Sequence, residues 1–411
     1  MSQGRPNIIL IISDQHNKHI MGCAGNAIIQ TPNLDRLASQ GVRLTNTYCP
    51  YPLCAPSRAG FMSAQYPSDI GVFDNGGSAF FSSRTPTFAH ALGGADYEAV
   101  LCGRMHFGNT DPFHGFASRI HGDTGNDTVS REILGSGMNR TNGQTRYAIE
   151  VAGHGKNGFQ AYDRSVADTA SNFIRNRKPS ERPFALVVGL MLPHNPLICS
   201  KEDFEYYHTW IQKPEPEPAS ALDRLHPAMK KWRERRGVDQ LSPEQNHRAI
   251  AAYYGLVAEL DRNVGRITET IRSGDQSENT VIIYTSDHGD MCCDHGMWWK
   301  SSFYEGSAGI PLIASWPGHF PSGTVDDSVA SLIDVGPTLL DIAGAPPLPD
   351  VSGRSLLRLL QGQSIPDWPD QVFCEYAGLL GDQPSCMIRS ERWNSQHRGQ
   401  RTEDRGQNAI N

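Results

Sequence analysis

Long apolar runs are missing from this chain. The longest, Ala185 to Leu192, falls far short of the ~20 residues that a membrane-spanning helix needs, so no membrane partner is expected. Runs of Lys and Arg are missing too: 37 basic residues stand against 44 acidic ones, and the formal charge is −7. No basic stripe offers a footprint for a phosphate backbone, which excludes nucleic acid as a partner. A disulfide framework is equally absent, because nine cysteines, an odd number, are scattered over 411 residues. That usage suits a reducing cytoplasm. The N-terminus carries a single Arg5 and only Ile8 to Ile12 as an apolar stretch, without a small-residue cleavage site. This is too little for a secretory signal and reads as a first strand. There is no internal repeat and no low-complexity tract. What remains is a globular composition, 38% hydrophobic and 20% charged, with 40 Gly and 27 Pro that imply many loops around ordinary elements.

Short apolar runs alternate with helical patterns, the rhythm of a mainly parallel sheet with crossover helices. Strands are expected at Ile8–Ile12, Tyr97–Cys102, Phe184–Leu192 and Val281–Thr285. Helices are expected from Thr31-Pro32 to Gly41, with Thr as N-cap, Pro at the first helical position and Gly past the end, and over Tyr162–Arg175 and Ala249–Ile271. Two stretches, Gly103–Gly158 and Leu197–Gln245, read as long irregular loops. Four core strands run into Asp14-Gln15, Arg104-Met105-His106, Pro193-His194 and Asp287-His288. Each delivers a carboxylate or imidazole past its C-terminal end, where open α/β sheets place their ligands.

The most specific string is Cys54-Ala55-Pro56-Ser57-Arg58. Standing alone, a cysteine there would read as a small buried hydrophobe. Cys-x-Pro-Ser-Arg, however, resembles the signature of the sulfatase family, and four more motifs follow that family's order. They are Thr31 to Ala38, Gly103-Arg104-Met105-His106, Pro193-His194-Asn195-Pro196, and Thr285 to Asp290 with Lys300. Met105-His106-Phe107 and Trp298 to Gly306 look nearest to the choline-sulfatase-like branch. The resemblance covers Pro6 to about Arg389. It implies an α/β fold with a large, mainly parallel sheet sandwiched by helices, alkaline-phosphatase-like, as a catalytic domain over 1–370. A partial C-terminal α+β subdomain with a polar, disordered tail would fill 371–411. Beyond Arg389 the chain departs from the family, being almost wholly polar, and is expected to leave that subdomain incomplete and unable to order itself.

The resemblance further implies that Cys54 is oxidised by a maturating enzyme to formylglycine, whose hydrate attacks the sulfur of a sulfate ester. The second hydroxyl then expels sulfate and restores the aldehyde, dividing one hard displacement into two steps. A divalent cation is implied, held by Asp14, Gln15, Cys54, Asp287 and His288. Oxygen-rich ligation puts Ca2+ first, with Mg2+ or Mn2+ as alternatives. Gln15 and His288 depart from the family's usual Asp and Asn, and the imidazole widens the choice toward Mn2+ or Zn2+. By resemblance Arg58 orients the hydrate, His106 assists its deprotonation, and His194 and Lys300 contact sulfate and leaving oxygen, with His194 as general acid. Arg104 stands where the family usually has Lys. The substrate would be a small aryl, alkyl or carbohydrate sulfate, and a homo-oligomer is compatible with the sequence. The competing readings are a phosphonate monoester or phosphodiester hydrolase of the same fold, and a catalytically impaired relic. Among the remaining motifs, Gly153-His154-Gly155-Lys156-Asn157-Gly158 reads as loop rather than dinucleotide site, and Cys292-Cys293 lacks zinc-ligand spacing. Trp298 and Trp299 fit a substrate wall or core packing equally.

Overall fold

The computed structural model describes residues 5–76, 81–107, 111–124, 143–178, 182–378, 384–390 and 409–410. Eight strands form one mixed sheet: β1 (Asn7–Asp14), β2 (Val42–Tyr48), β3 (Glu98–Gly103), β4 (Ser118–His121), β6 (Phe184–Pro193), β8 (Thr280–Ser286), β9 (Leu312–Ser315) and β10 (Thr324–Ser331). Two further short strands, β5 (Gly153–His154) and β7 (Ile198–Cys199), pair only with each other. The order across the large sheet is β10-β2-β9-β8-β1-β6-β3-β4. β9 runs antiparallel to both neighbours, and every other pairing is parallel.

β1 is buried along its whole length because it lies between β6 and β8, with Leu10 level with Val187 and Ile283. Its side chains alternate between two cores. Ile8, Leu10 and Ile12 face a layer containing Phe61, Phe88 and Leu339, whereas Ile9 and Ile11 face one containing Val166, Leu256 and Val264. Each such fully buried Ile or Leu contributes about 2 kcal/mol by leaving water. The sheet is therefore a middle layer, with α1 (Pro32–Ser39) and the helices Gly158–Arg175 and Pro243–Arg272 on the second side. The helix α2 (Cys54–Ser63) is on the first. Among the described residues no helix is long and apolar enough to cross a membrane.

Several expected boundaries shift for identifiable reasons. The helix expected from Ala249 starts at Pro243, because Ser242 and Gln245 form a reciprocal capping box and Pro243 occupies the first position. Thr31 is the N-cap residue of α1, yet its hydroxyl bonds Asp35, and the helix N–H groups of Asn33 and Leu34 are accepted by Asp261 of the long helix. Gly41 is needed for close approach: a Cβ there would lie 2.0 Å from the Ala314 carbonyl oxygen. Leu197–Gln245 is corrected from irregular loop to three helices, Lys201–Trp210, Ala219–Arg224 and Pro227–Arg236, whose exposed faces weaken the apolar period. In the other stretch, β4 and the helix Arg146–Glu150 are ordered elements, and 108–110 and 125–142 lie outside the described residues. The glycine-rich string, read as loop, holds the two-residue β5, which lies outside the large sheet, and the start of a helix capped by Asn157. Trp298 and Trp299 are fully buried and belong to the core on the second side of the sheet.

A small antiparallel sheet follows, with β11 (Gln371–Tyr376), β12 (Ser385–Ser390) and β13 (Ala409–Ile410). Ala409 and Ile410 pair with Met387 and Cys386. The tail between them, 391–408, lies outside the described residues.

Candidate active site

The four strands that carry chemistry, β8, β1, β6 and β3, are consecutive neighbours in the parallel part of the sheet. Their C-terminal ends therefore open onto one place. α2 begins there at Cys54, with Leu53 extended before it, so position 54 sits at the positive end of a ten-residue helix.

The Cys54 Sγ is where the site converges. Lys300 donates to it from 2.9 Å, His288 Nε2 lies 3.2 Å away, and the thiol reaches Asp14 Oδ1 at 3.5 Å. His106 and His194 face the same sulfur. Burial opposes ionisation of this thiol, but Lys300 and His288, with the two other imidazoles, outweigh it and hold its pKa well below the usual value. Any oxygen placed at this position would feel the same field.

Two buried carboxylates flank the sulfur. Arg58, one helical turn after Cys54, gives its Nε to Asp287 Oδ2 at 2.8 Å and a terminal nitrogen to Asp14 Oδ2 at 3.3 Å. Its remaining donors go to the carbonyls of Arg104 and Ser13, so the guanidinium is spent on holding the carboxylates. Arg104 bonds Asp14 at 3.2 Å and His106 Nδ1 at 3.0 Å. Burial and the neighbouring Cys54 push the Asp14 pKa up, and His194, Arg58 and Arg104 more than compensate. The His288 imidazole is disfavoured as a cation by burial, yet Asp287 lifts its pKa to about 9. That direction favours the protonated ring when no cation is bound.

Donor atoms of Asp14, Cys54, Asp287 and His288 all lie within 4.8 Å of one another, and all four residues are buried. Two anionic oxygens and an imidazole nitrogen converging in a buried place fit a divalent cation, once the His288 proton is displaced. Gln15 stands beside this set with φ of 74°. Its amide oxygen accepts from Lys300 at 2.9 Å and its amide nitrogen donates to Asp290 Oδ2 at 2.6 Å. The amide oxygen is thus aimed at the same ammonium as the thiol.

Comparison with known proteins decides the family. The model of the sulfatase family matches residues 6–345, most of the catalytic layer structure and every group named above. The chain belongs to the sulfatase family. A second family model, N-sulphoglucosamine sulphohydrolase C-terminal, matches residues 293–398. This sulfatase is 31% identical to the choline-sulfatase of Rhizobium meliloti, over 96% of its own length and 78% of that protein's. It is 30% identical to an arylsulfatase of Clostridium perfringens, over 91% and 82% of the two chains. It is a sulfuric ester hydrolase. Among solved structures, the phosphonate monoester hydrolase of Agrobacterium radiobacter superposes with a TM-score of 0.78 at 25% identity, over 94% of this chain and 86% of that one. A protein solved in complex with its substrate D-glucosamine-2-N,6-O-disulfate gives 0.73 at 23% identity, over 94% and 87%. The fold is alkaline-phosphatase-like.

Three residues without an assigned role from the sequence complete the site of this sulfatase. Asp123, just past β4, accepts the backbone N–H of Met105 at 3.0 Å and of His106 at 2.6 Å, and pairs with Arg104 and Arg119. It fixes the turn in which His106 takes a φ of 61°. Asp163 accepts the N–H groups of Met191 and Leu192, anchoring the end of β6 ahead of His194. Asp290 holds Gln15 and accepts the N–H groups of Cys292 and Trp299, which positions the loop leading to Lys300. The available signal was strand-end placement, and it was lost for Asp123 because β4 has only four residues.

Proposed function

We propose that this sulfatase hydrolyses a small aryl, alkyl or carbohydrate sulfate through a hydrated aldehyde derived from Cys54 and a divalent cation held by Asp14, Asp287 and His288 with Gln15. The observation that carries this reading is the convergence of Lys300, His288 and Asp14 on one sulfur atom. When bound, the cation would neutralise the two carboxylates and polarise the nucleophile and a sulfate oxygen, and oxygen-rich ligation favours Ca2+. The aldehyde would supply a nucleophile that can release sulfate again and regenerate itself, which a thiol cannot do.

The chain's own groups do the rest. Arg58 is a positioning residue, since it locks both carboxylates and the backbone of Arg104. Lys300 places positive charge where the nucleophilic oxygen and the sulfuryl group meet. His106, oriented by Arg104 and Asp123, takes the proton of the second hydroxyl. His194 is half-buried, with its Nδ1 against the Asn195 carbonyl at 2.7 Å, which leaves Nε2 to protonate the departing alkoxide. Maturation of Cys54 requires a formylglycine-generating or anaerobic sulfatase-maturating partner. The nine free cysteines support residence in a reducing cytoplasm.

The superposition on a phosphonate monoester hydrolase favours one second reading, hydrolysis of a phosphonate monoester or phosphate diester. The Cys-x-Pro-Ser-Arg form, which resembles the sulfatase signature, supports the first reading; its Ser57 hydroxyl donates to the Asp287 backbone carbonyl at 2.6 Å. With matched leaving groups, kcat/KM for the sulfate monoester is expected to exceed that for the phosphonate and the phosphate diester. The reverse preference, in protein with the aldehyde in place, would move the chain to the second reading.

A further inference from the structure

A second group of metal-ligating side chains lies outside the active site, between the helices Lys201–Trp210 and Pro243–Arg272. His208 is on the first helix, and Glu244 and His247 are three residues apart, on one face of the second. One donor atom from each lies within 4.8 Å of the other two, and His208 Nε2 is 3.6 Å from Glu244 Oε1. Ligands at ~2.0–2.2 Å from a tetrahedral zinc stand about 3.3 Å apart, so small side-chain shifts would close the set.

The decisive atom belongs to His247. Its residue is only 6% exposed, and its Nε2 faces the Ile211 carbonyl oxygen at 2.8 Å. A ring nitrogen meeting a carbonyl must donate, which leaves the lone pair on Nδ1, and that buried atom has no hydrogen-bond partner among the described residues. A buried acceptor without a donor costs free energy unless something else fills it. A ring whose other nitrogen donates to a backbone carbonyl is also oriented as metal-bound histidines usually are. The His208 ring lies tilted against His247 with centroids 4.3 Å apart and stacks on Phe204 at 5.3 Å, which limits its rotation. Lys213 occupies Glu244 Oε2 at 2.6 Å, leaving Oε1 toward His208.

We propose that His208, Glu244 and His247 form a binding site for a zinc-like divalent cation. Two imidazoles and one carboxylate are a borderline donor set suited to Zn2+, and with a water in the fourth position they complete a tetrahedron. The site clasps the base of the excursion between the two helices. That excursion packs Trp232 against Trp299 and ties Arg233 to the His295 carbonyl at 2.6 Å, so the clasp steadies the segment behind the Lys300 loop.

The test is zinc content per chain. Wild type, His208→Ala and His247→Gln are stripped with chelator, loaded with Zn2+ alone, desalted and measured by mass spectrometry for metals. Uptake at the Asp14–Asp287 cluster is common to all three and cancels in the difference. Wild type is expected to retain one equivalent more than either variant, and Zn2+ to raise the Tm of wild type more than that of His208→Ala. His208 lies part-exposed on its helix, so this variant keeps the fold even where His247→Gln does not. Equal zinc content and equal Tm shift in wild type and His208→Ala would overturn the proposal and leave the cluster a packing contact only.

Discussion

His194 and His288 follow β6 and β8, the two strands that flank β1, and the roles proposed for them are opposite. His194 is half-buried with one nitrogen fixed on a carbonyl, which suits the general-acid role proposed for it. His194→Asn should lower kcat by about 10²- to 10⁴-fold for esters of poor leaving groups. The loss should shrink toward unity for a nitrophenyl-type leaving group that needs no protonation. An equal loss for both classes, in paired kcat measurements, would remove His194 from the general-acid role. His288 faces Asp14 and Asp287 at 3.7 and 3.6 Å, and Asp287 lifts its pKa to about 9 against burial. A cation must displace that proton. Metal affinity, measured by titration between pH 6 and 9, should therefore rise with pH and level off near 9, and a flat profile would show that His288 is not a ligand.

At the scale of elements, the strands buried on both faces were legible because they read as continuous apolar runs between polar breaks. The ends of β1, β3, β6 and β8 were the useful part, since parallel neighbours must point their C-terminal residues the same way. β2, β9 and β10 were not legible: β9 has four residues, and β10 carries Asp326 and Asp327 where an apolar pattern would show. Nor were the cross-element supports, Asp123 on the His106 turn or Asp261 on α1, because a capping carboxylate from a distant element leaves no local pattern. One such tie holds the small sheet to the large one. Glu305 bonds Lys18 at 2.7 Å and Arg389 of β12 at 3.1 Å, with Tyr48 between them. Burial would raise the Glu305 pKa, but the two cations hold it down to about 2. Its contribution is thus complete above the ordinary carboxyl range and is lost as pH falls from about 4.5 toward 2. Glu305→Gln should cost roughly 3 kcal/mol in urea unfolding at pH 7, and the difference from wild type should fade below pH 3. No loss at pH 7 would show that the cluster does not hold the two sheets together.

For the whole molecule, one sheet edge gathers groups from chain positions as distant as 14 and 300, and the order of parallel strands is what makes that possible. Sequence motifs named most of the groups, and the fold shows what each one touches. Arg58 and Arg104 bond the carboxylates, Asp123 and Asp290 hold the loops, and Lys300, His288, His106 and His194 bear on the thiol position. Such a field around a small side chain at a helix start is what the proposed nucleophile would need. Mass spectrometry of the peptide carrying Cys54, taken from turnover-competent protein, tests this most directly. The account predicts an aldehyde at position 54, whose reduction to an alcohol abolishes sulfate-ester hydrolysis in proportion. Full activity in protein that carries only the unmodified thiol would contradict it.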